Sequence, residues 1–328
     1  MKKILFRCDS SSVLGTGHVT RSFALAEVFA LNGWEVTFSG VFEAPKWIFE
    51  LLNKIKNVII ENPTKIIQQD KDYEVIVFDS YNFDSGEIST LRKSGTLIVY
   101  VIDDISPIMN ADVYVSTLTR EYLPQFIDRG KFLFGVEYAL IRKEIIINKL
   151  RNIRTLDVFN QRKTLGLFSG GSAKKEFLEI MLNQLIPELN GWNIKIFSEH
   201  MDLKNYISHD VKLEIISPKP DFYCELNDIN LVVSSASVSS WEFLSMDIPL
   251  AVYGIYQNQK SAYEFIVGGG YAEGLGFVEN YNDFVLNKVN LRKAVDKISN
   301  SKVSQFQNRK LVDGNGPTRV YDEIIKLI

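Results

Sequence analysis

Cysteine and histidine are scarce in this 328-residue chain. Its two cysteines, Cys8 and Cys224, match no metal-binding spacing, which argues against a disulfide framework and against a zinc site. We expect both thiols to be reduced packing residues and expect neither a metal nor a cofactor. Of the three histidines, His18 alone lies in a recognisable motif.

Long apolar runs and an excess of positive charge are absent as well. No uninterrupted apolar stretch reaches the roughly 20 residues that span a bilayer, and the first residues lead directly into a strand pattern without a signal sequence. We therefore expect a soluble, cytoplasmic protein with no membrane insertion. The formal net charge of −3 provides no global basic field for nucleic acid, so any phosphate site must be local. The oligomeric state stays open.

What the chain does have is a repeated alternation of strand and helix patterns. Such alternation indicates parallel sheets, because parallel neighbours need a crossover connection. Strands are predicted at 3–6, 35–38, 58–60, 75–78, 96–101 and 113–115, and again at 164–168, 193–197, 213–216, 231–234 and 250–254. The fold class is therefore α/β, with two Rossmann-like doubly wound domains over residues 1–150 and 151–328 facing a cleft. The last helix is a candidate to return to the first domain.

The stretch from Arg7 to Arg21 carries the clearest chemical signal. It leaves an apolar strand and enters an amphipathic helix pattern, and Gly15 and Gly17 allow a sharp turn and a close approach by a ligand. His18 then lies at the helix entrance, where amide N–H groups favour anions and where an imidazole can move a proton near neutral pH. A plain packed turn is the alternative interpretation of Gly-x-Gly-His alone.

Taken with its surroundings, this loop resembles the opening of a known family of enzymes. Strand-Arg-x-Asp-Ser-Ser followed by Gly-x-Gly-His-x-x-Arg is similar to the UDP-2,4-diacetamido-2,4,6-trideoxy-β-L-altropyranose hydrolases of pseudaminic acid biosynthesis. These enzymes are related to spore-coat polysaccharide biosynthesis proteins and to glycosyltransferases of the GT-B fold. Further similar segments are spread along the chain, at 78–81, 101–104, 135–142, 168–172, 239–242, 258–259 and 311–316.

The resemblance implies a nucleotide site in the second half. Gly170, Gly171 and Ser172 would permit close approach to a diphosphate, although the same residues suit a tight turn. Ser239 and Ser240 offer donors at a helix start, where serine also serves as a cap. Glu242 would accept hydrogen bonds from ribose hydroxyls, with a buried structural glutamate as the alternative. Asn258 and Gln259 would contact an acetamido sugar, or else lie in an ordinary polar loop.

Three positions depart from the family pattern. Ser80 stands where histidine is usual, Ala173 where aspartate is usual, and Ser237 where glycine is common. Serine does not titrate near neutral pH and alanine offers no carboxylate, so these changes affect the chemistry more than the fold.

The function implied by the resemblance is hydrolysis of a UDP-sugar. His18 would take a proton from water, Asp9 would orient His18 or a sugar hydroxyl, Tyr81 would contact the sugar, and Gly15, Gly17 and Arg21 would help to bind the substrate. A glycosyltransferase using the same donor and base is the main alternative, and a non-catalytic nucleotide-sugar-binding protein is a further one. The base of the nucleotide and the stereochemistry of the sugar stay open.

Overall fold

The computed structural model describes residues 2–43, 45–61, 73–83, 88, 95–103, 105–124, 129–151, 163–170, 174–198, 206, 210–300 and 312–328. The chain divides into two compact units. Unit 1 comprises Met1–Lys143 together with Val312–Ile328, and unit 2 comprises Glu144–Leu311.

Unit 1 is built on a seven-stranded parallel sheet with the strand order β3-β2-β1-β4-β5-β6-β7. Its strands are β1 (Lys3–Cys8), β2 (Glu35–Ser39), β3 (Ile59–Glu61), β4 (Val75–Asp79), β5 (Leu97–Val101), β6 (Val113–Ser116) and β7 (Lys131–Phe134), and its first helices are α1 (Gly17–Leu31) and α2 (Trp47–Leu52). Every residue of β4 is buried, as expected for a strand that is covered on both faces.

The core of unit 1 follows from alternation along β1 and helical spacing along α1. Ile4 and Phe6 of β1 point to the same face, and they share one buried cluster with Phe23 and Phe29 of α1. Burial of this face fixes α1 against the sheet and thereby fixes the position of its first turn.

Unit 2 repeats the arrangement with a six-stranded parallel sheet in the order β10-β9-β8-β11-β12-β13. Its helices are α3 (Lys143–Arg151), α4 (Lys175–Leu185), α5 (Val238–Ser245), α6 (Lys260–Gly268) and α7 (Lys288–Asn300). Its strands are β8 (Thr164–Phe168), β9 (Asn193–Phe197), β10 (Lys212–Ile216), β11 (Leu231–Ser235), β12 (Leu250–Gly254) and β13 (Glu273–Phe277).

The division of the chain lies at the start of α3, seven residues before the predicted boundary at residue 150. The hydrogen bonds of α3 explain this position. Asn148 donates to the carbonyl of Tyr223 at 3.0 Å, and the Tyr223 hydroxyl donates to Glu144 at 3.2 Å. These bonds attach α3 to unit 2, and residues 152–162 lie outside the described residues.

The last helix, α8 (Gly316–Ile325), belongs to unit 1. Arg319 donates to the carbonyl of Glu137 at 2.9 Å, and the Tyr321 ring lies 4.9 Å from that of Phe29. A Cβ at Gly316 would lie 2.1 Å from the Ala139 carbonyl oxygen, so only glycine fits this approach. Residues 135–142 and 312–316, which belong to two segments of the family resemblance, therefore meet in unit 1.

Both sheets reverse their strand order at one point, between β1 and β4 in unit 1 and between β8 and β11 in unit 2. Ligands of open α/β sheets bind beside the carboxyl ends of the strands at such points.

The predicted fold class, two doubly wound parallel sheets, is confirmed. The sequence analysis missed β7 and β13, which are edge strands. Among the helices that the structure describes, none combines the length and the apolar character needed to cross a membrane.

Candidate active site

The loop after β1 is a tight turn closed by Ser11. The Gly15 amide donates to the Ser11 carbonyl at 2.9 Å, and the Ser11 hydroxyl accepts from the amides of Val13 and Leu14 at 3.2 and 3.1 Å. Gly15 has φ of 75°, a conformation that favours glycine. This turn leads directly into α1, and His18 is therefore the second residue of that helix.

The His18 side chain is held by Asp79, the last residue of β4. Nδ1 of His18 lies 2.6 Å from Oδ1 of Asp79, and the two side chains are 9% and 0% exposed. Arg21 donates from Nε to Oδ2 of Asp79 at 2.7 Å and from Nη2 to Oδ1, and the Ser22 hydroxyl donates to Oδ2 at 3.1 Å. Residues 18, 21 and 22 of one helix thus converge on one buried carboxylate.

Asp79 stays ionised in this setting. Burial by itself would raise its pKa, but the nearby Arg21 guanidinium and His18 imidazole outweigh burial and lower the pKa to about 2. Burial would conversely lower the pKa of Arg21, and the Asp79 charge outweighs it and raises that pKa.

An ionised carboxylate only accepts hydrogen bonds. The proton in the His18–Asp79 bond therefore belongs to Nδ1 of His18, and in the neutral ring the lone pair lies on Nε2. His18 consequently presents Nε2 as its acceptor atom.

Tyr81 completes the surroundings of His18. The two ring centroids lie 4.9 Å apart with an interplanar angle of 89°. The Tyr81 hydroxyl donates to Oδ2 of Asp103 at 2.6 Å. Tyr81 is therefore in contact with the predicted base, while its phenolic proton is directed to Asp103.

The hydrogen bonds of Asp9 join strand ends and do not orient His18. The structure gives its hydrogen bonds to Arg7 Nη1 at 2.6 Å, the Val41 amide at 2.9 Å and the Ser80 hydroxyl at 2.7 Å. These bonds connect the ends of β1, β2 and β4. The carboxylate that orients His18 is Asp79, to which the sequence analysis gave no role. Its signals were its place in the family-like segment 78–81 and its position at the end of an apolar strand.

In unit 2, Gly170 follows β8 with φ of 77°. A Cβ placed on it would lie 3.3 Å from the Ser235 hydroxyl oxygen at the end of β11. The ends of these two neighbouring strands therefore approach closely at the point where the strand order reverses. Gly171, Ser172 and Ala173 lie outside the described residues.

The serine run before α5 divides into two kinds of residue. The buried Ser240 hydroxyl donates to the Ser235 carbonyl at 2.8 Å and so braces the start of the helix. Ser239 is half-buried. Glu242 lies one turn into α5 and is 4% exposed.

Asn258 and Gln259 lie in a short 3₁₀ helix, Gln257–Gln259, after β12. Gln259 is buried, and its Oε1 accepts from the Ile255 amide at 2.9 Å. Asn258 is exposed. The structure therefore gives Gln259 a role in shaping the loop and leaves Asn258 accessible to solvent.

Within each unit, most predicted site residues gather at the carboxyl ends of the strands. His18, Arg21 and Tyr81 come together in unit 1, where Gly15 and Gly17 shape the adjoining loop. In unit 2, Gly170, Ser240, Glu242 and Gln259 follow β8, β11 and β12. Among the residues that the structure describes, no group of three or more His, Cys, Asp or Glu side chains is arranged to hold a metal ion.

Comparison with known proteins places this geometry in context. No family model matches the chain. The UDP-2,4-diacetamido-2,4,6-trideoxy-beta-L-altropyranose hydrolase of Campylobacter jejuni is 24% identical over 289 residues, which cover 82% of this chain and 97% of the hydrolase.

Two solved structures extend the likeness to the whole chain. Acinetobacter baumannii MurG has a TM-score of 0.63 at 13% identity and covers 99% of this chain and 100% of its own. The S. aureus MnaA–UDP co-structure has a TM-score of 0.62 at 15% identity, and the match covers 100% of this chain and 98% of that one. The chain therefore has the GT-B fold, and over most of its length its sequence is similar to the Campylobacter hydrolase.

Proposed function

We propose that this protein is a nucleotide-sugar hydrolase that releases UDP from a UDP-linked diacetamido-trideoxy sugar. The observation that carries the proposal is the His18–Asp79 pair, a base oriented by a buried carboxylate at the sheet's switch point. The similarity to the Campylobacter hydrolase, which spans 97% of that enzyme, supports the choice of substrate.

The proposed reaction uses water as the nucleophile. Nε2 of His18 takes a proton from water as the water oxygen bonds to the anomeric carbon of the sugar. The bond from that carbon to the diphosphate oxygen breaks, and its electron pair leaves with UDP. Asp79 holds the imidazole and stabilises the imidazolium that forms, because the ionised carboxylate accepts from Nδ1 in both states.

Burial of the base supports water over a bulky nucleophile. The His18 side chain is 9% exposed, and the Tyr81 ring lies 4.9 Å from its ring. Such a base offers little surface to an acceptor molecule, whereas water needs access to one ring nitrogen. We therefore place hydrolysis ahead of glycosyl transfer.

We assign UDP to unit 2. Amide groups at Gly170, Gly171 and Ser172 and at the start of α5, with Ser239, would neutralise charge on the departing diphosphate. Glu242 would accept from the ribose hydroxyls. Asn258 would contact an acetamido group of the sugar, because a side-chain amide both donates and accepts. In unit 1, the Gly17 amide at the start of α1 would add positive potential, while Gly15 shapes the loop and Arg21 holds Asp79.

The free sugar released in this way would be consumed in the biosynthesis of a nonulosonic acid of the pseudaminic type. This assignment rests on the similarity to the Campylobacter hydrolase.

Glycosyl transfer is the second candidate. The fold likeness to MurG and the departure of Ser80 from the hydrolase pattern favour it. A transferase would use the same donor site and base, with an acceptor hydroxyl in place of water.

Incubation of purified protein with UDP-2,4-diacetamido-2,4,6-trideoxy-β-L-altropyranose tests the proposal. We expect UDP to form without any acceptor, and in ¹⁸O-labelled water we expect the label in the free sugar. Label in UDP would contradict attack at the anomeric carbon. UDP that forms only after an acceptor sugar is added would identify a transferase. His18→Asn serves as the control for contaminating activity.

A further inference from the structure

Asp103, two residues beyond the end of β5, lies at the centre of a small network beside His18. Its Oδ2 accepts from the Tyr81 hydroxyl at 2.6 Å, and its Oδ1 accepts from the Ser106 hydroxyl at 2.9 Å. The Ser106 oxygen in turn accepts from the Asp103 amide at 2.9 Å. Both carboxylate oxygens are therefore engaged, and the side chain is fixed in one orientation.

Tyr81 is consequently held at both ends. Its hydroxyl is bound to Asp103. On the backbone side, the Ser80 hydroxyl donates to Asp9 at 2.7 Å and accepts from the Asn82 amide at 3.0 Å. The turn on either side of Tyr81 is thus attached to the Asp9 carboxylate, which leaves the ring little freedom to move away from His18.

The imidazole needs such a neighbour. The torsion about the Cβ–Cγ bond of histidine joins an sp³ to an sp² carbon, and its energy profile is broad. Asp79 binds one edge of the ring through Nδ1, and a single hydrogen bond still allows the ring to rock. The Tyr81 ring, 4.9 Å away at 89°, lies against the imidazole and limits that motion.

We propose that Asp103 is a positioning residue: by fixing Tyr81, it confines the His18 ring to the orientation in which Nδ1 donates to Asp79 and Nε2 is the acceptor. Its effect on catalysis rests on the proposed function. Its effect on the tautomer of His18 does not rest on that function, because the tautomer is a property of the protein without substrate.

The tautomer gives a direct test that needs no activity. The chain has three histidines, so ¹⁵N-histidine labelling yields a simple two-bond ¹H–¹⁵N spectrum in which His18→Asn assigns the His18 signals. In the neutral ring, we expect wild-type Nδ1 to be protonated and Nε2 unprotonated. In Asp103→Ala, the ring can turn away from Asp79 and lose the bond that fixes its tautomer, so we expect both His18 nitrogen shifts to move toward the average of the two tautomers. Unchanged shifts would overturn the proposal.

Kinetics supply the second readout, with UDP-sugar as substrate. We expect Asp103→Ala to lower kcat about 10-fold with KM changed less than about twofold, since the base is misplaced while substrate binding is retained. In a His18→Asn background, Asp103→Ala should cause no further loss. An equal loss in both backgrounds would show that Asp103 does not act through His18, and would overturn the proposal.

Two variants separate positioning from folding. Asp103→Asn keeps an oxygen that can accept from Tyr81, so we expect it to retain the wild-type tautomer and most of the rate. Asp103→Asn also replaces Asp103→Ala as the test variant if Asp103→Ala does not fold. Averaged His18 shifts in a folded Asp103→Asn protein would count against the proposal. Asp322→Asn, on the exposed face of α8 in the same unit, is the matched control and should change neither readout. If the His18 nitrogen shifts behave as expected but no UDP is released, the proposed function is refuted and the positioning role of Asp103 is not.

Discussion

Nδ1 of His18 lies 2.6 Å from Oδ1 of Asp79, although 61 positions separate the two residues in the chain. The parallel pairing of β1 with β4 brings them together, because its register sets Cys8 beside Asp79 and the loop after β1 then returns His18 to the same edge. The predicted base and the carboxylate that orients it thus come from two elements joined only through the sheet.

Replacement of His18 by asparagine tests the base. Asp79 keeps its bonds from Arg21 and Ser22 in this variant, so we expect the fold and the affinity for UDP to be retained. Turnover should fall by roughly 100-fold or more, the range for loss of a positioned general base. UDP release and calorimetric UDP binding measure the two effects. Turnover close to the wild-type rate would remove His18 from the mechanism.

Acid unfolding tests the buried carboxylate. The pKa of Asp79 is about 2 in the folded protein, against an ordinary value of 3.8. A carboxylate whose pKa is lower in the folded state stabilises the protein at pH values above its unfolded-state pKa. This stabilisation is lost as pH falls from about 4 to 2. The contribution is about 2 kcal/mol of unfolding free energy at neutral pH.

Comparison with Asp79→Asn isolates this contribution from those of other carboxylates. The variant should be less stable at pH 7 by about 3 kcal/mol, because Arg21 loses its buried partner. The difference from wild type should narrow toward pH 2. Chemical denaturation of both proteins across this range provides the measurement, and a difference that is independent of pH would contradict the assignment.

Glu242 is expected to bind the ribose of UDP. Glu242→Gln removes the charge from this buried position and should weaken UDP binding by roughly 1 to 3 kcal/mol, as expected for loss of charge-assisted hydrogen bonds. Glu264→Gln, at an exposed position on α6, is the matched control and should bind UDP like the wild type. Equal affinity of both variants would leave Glu242 with a structural role only.

Asn258 and Gln259 are neighbours with different expected phenotypes. Gln259→Ala leaves the buried Ile255 amide without its acceptor and should lower the unfolding free energy by about 1 to 3 kcal/mol. Asn258→Ala, at an exposed position, should change stability by less than about 0.5 kcal/mol and lower kcat/KM about 5-fold, with UDP affinity unchanged. Thermal unfolding and steady-state kinetics distinguish them. A loss of activity in Gln259→Ala together with a loss of stability in Asn258→Ala would exchange the two roles.

The amino-acid sequence by itself determined the fold class and the position of the predicted base. Buried parallel strands are nearly continuous apolar runs, so 164–168 and 250–254 could be predicted with their observed bounds. The edge strands β7 and β13 were missed because they carry weaker patterns. Partly exposed Lys131 and Phe132 interrupt β7, and Gly274 and Gly276 interrupt β13. The glycines before His18 marked the strand-to-helix turn, a feature encoded within a few residues.

Only the tertiary structure decided which polar groups meet. Asp9 and Asp79 both follow apolar strands, and nothing local distinguishes a carboxylate that joins three strand ends from one that orients His18. The same holds for Ser239 and Ser240, or for Asn258 and Gln259, where one neighbour is buried and the other is more exposed. The physical reason is that hydrogen-bond partners 60 or more residues apart are set by strand register and helix packing, which spacing along the chain does not record.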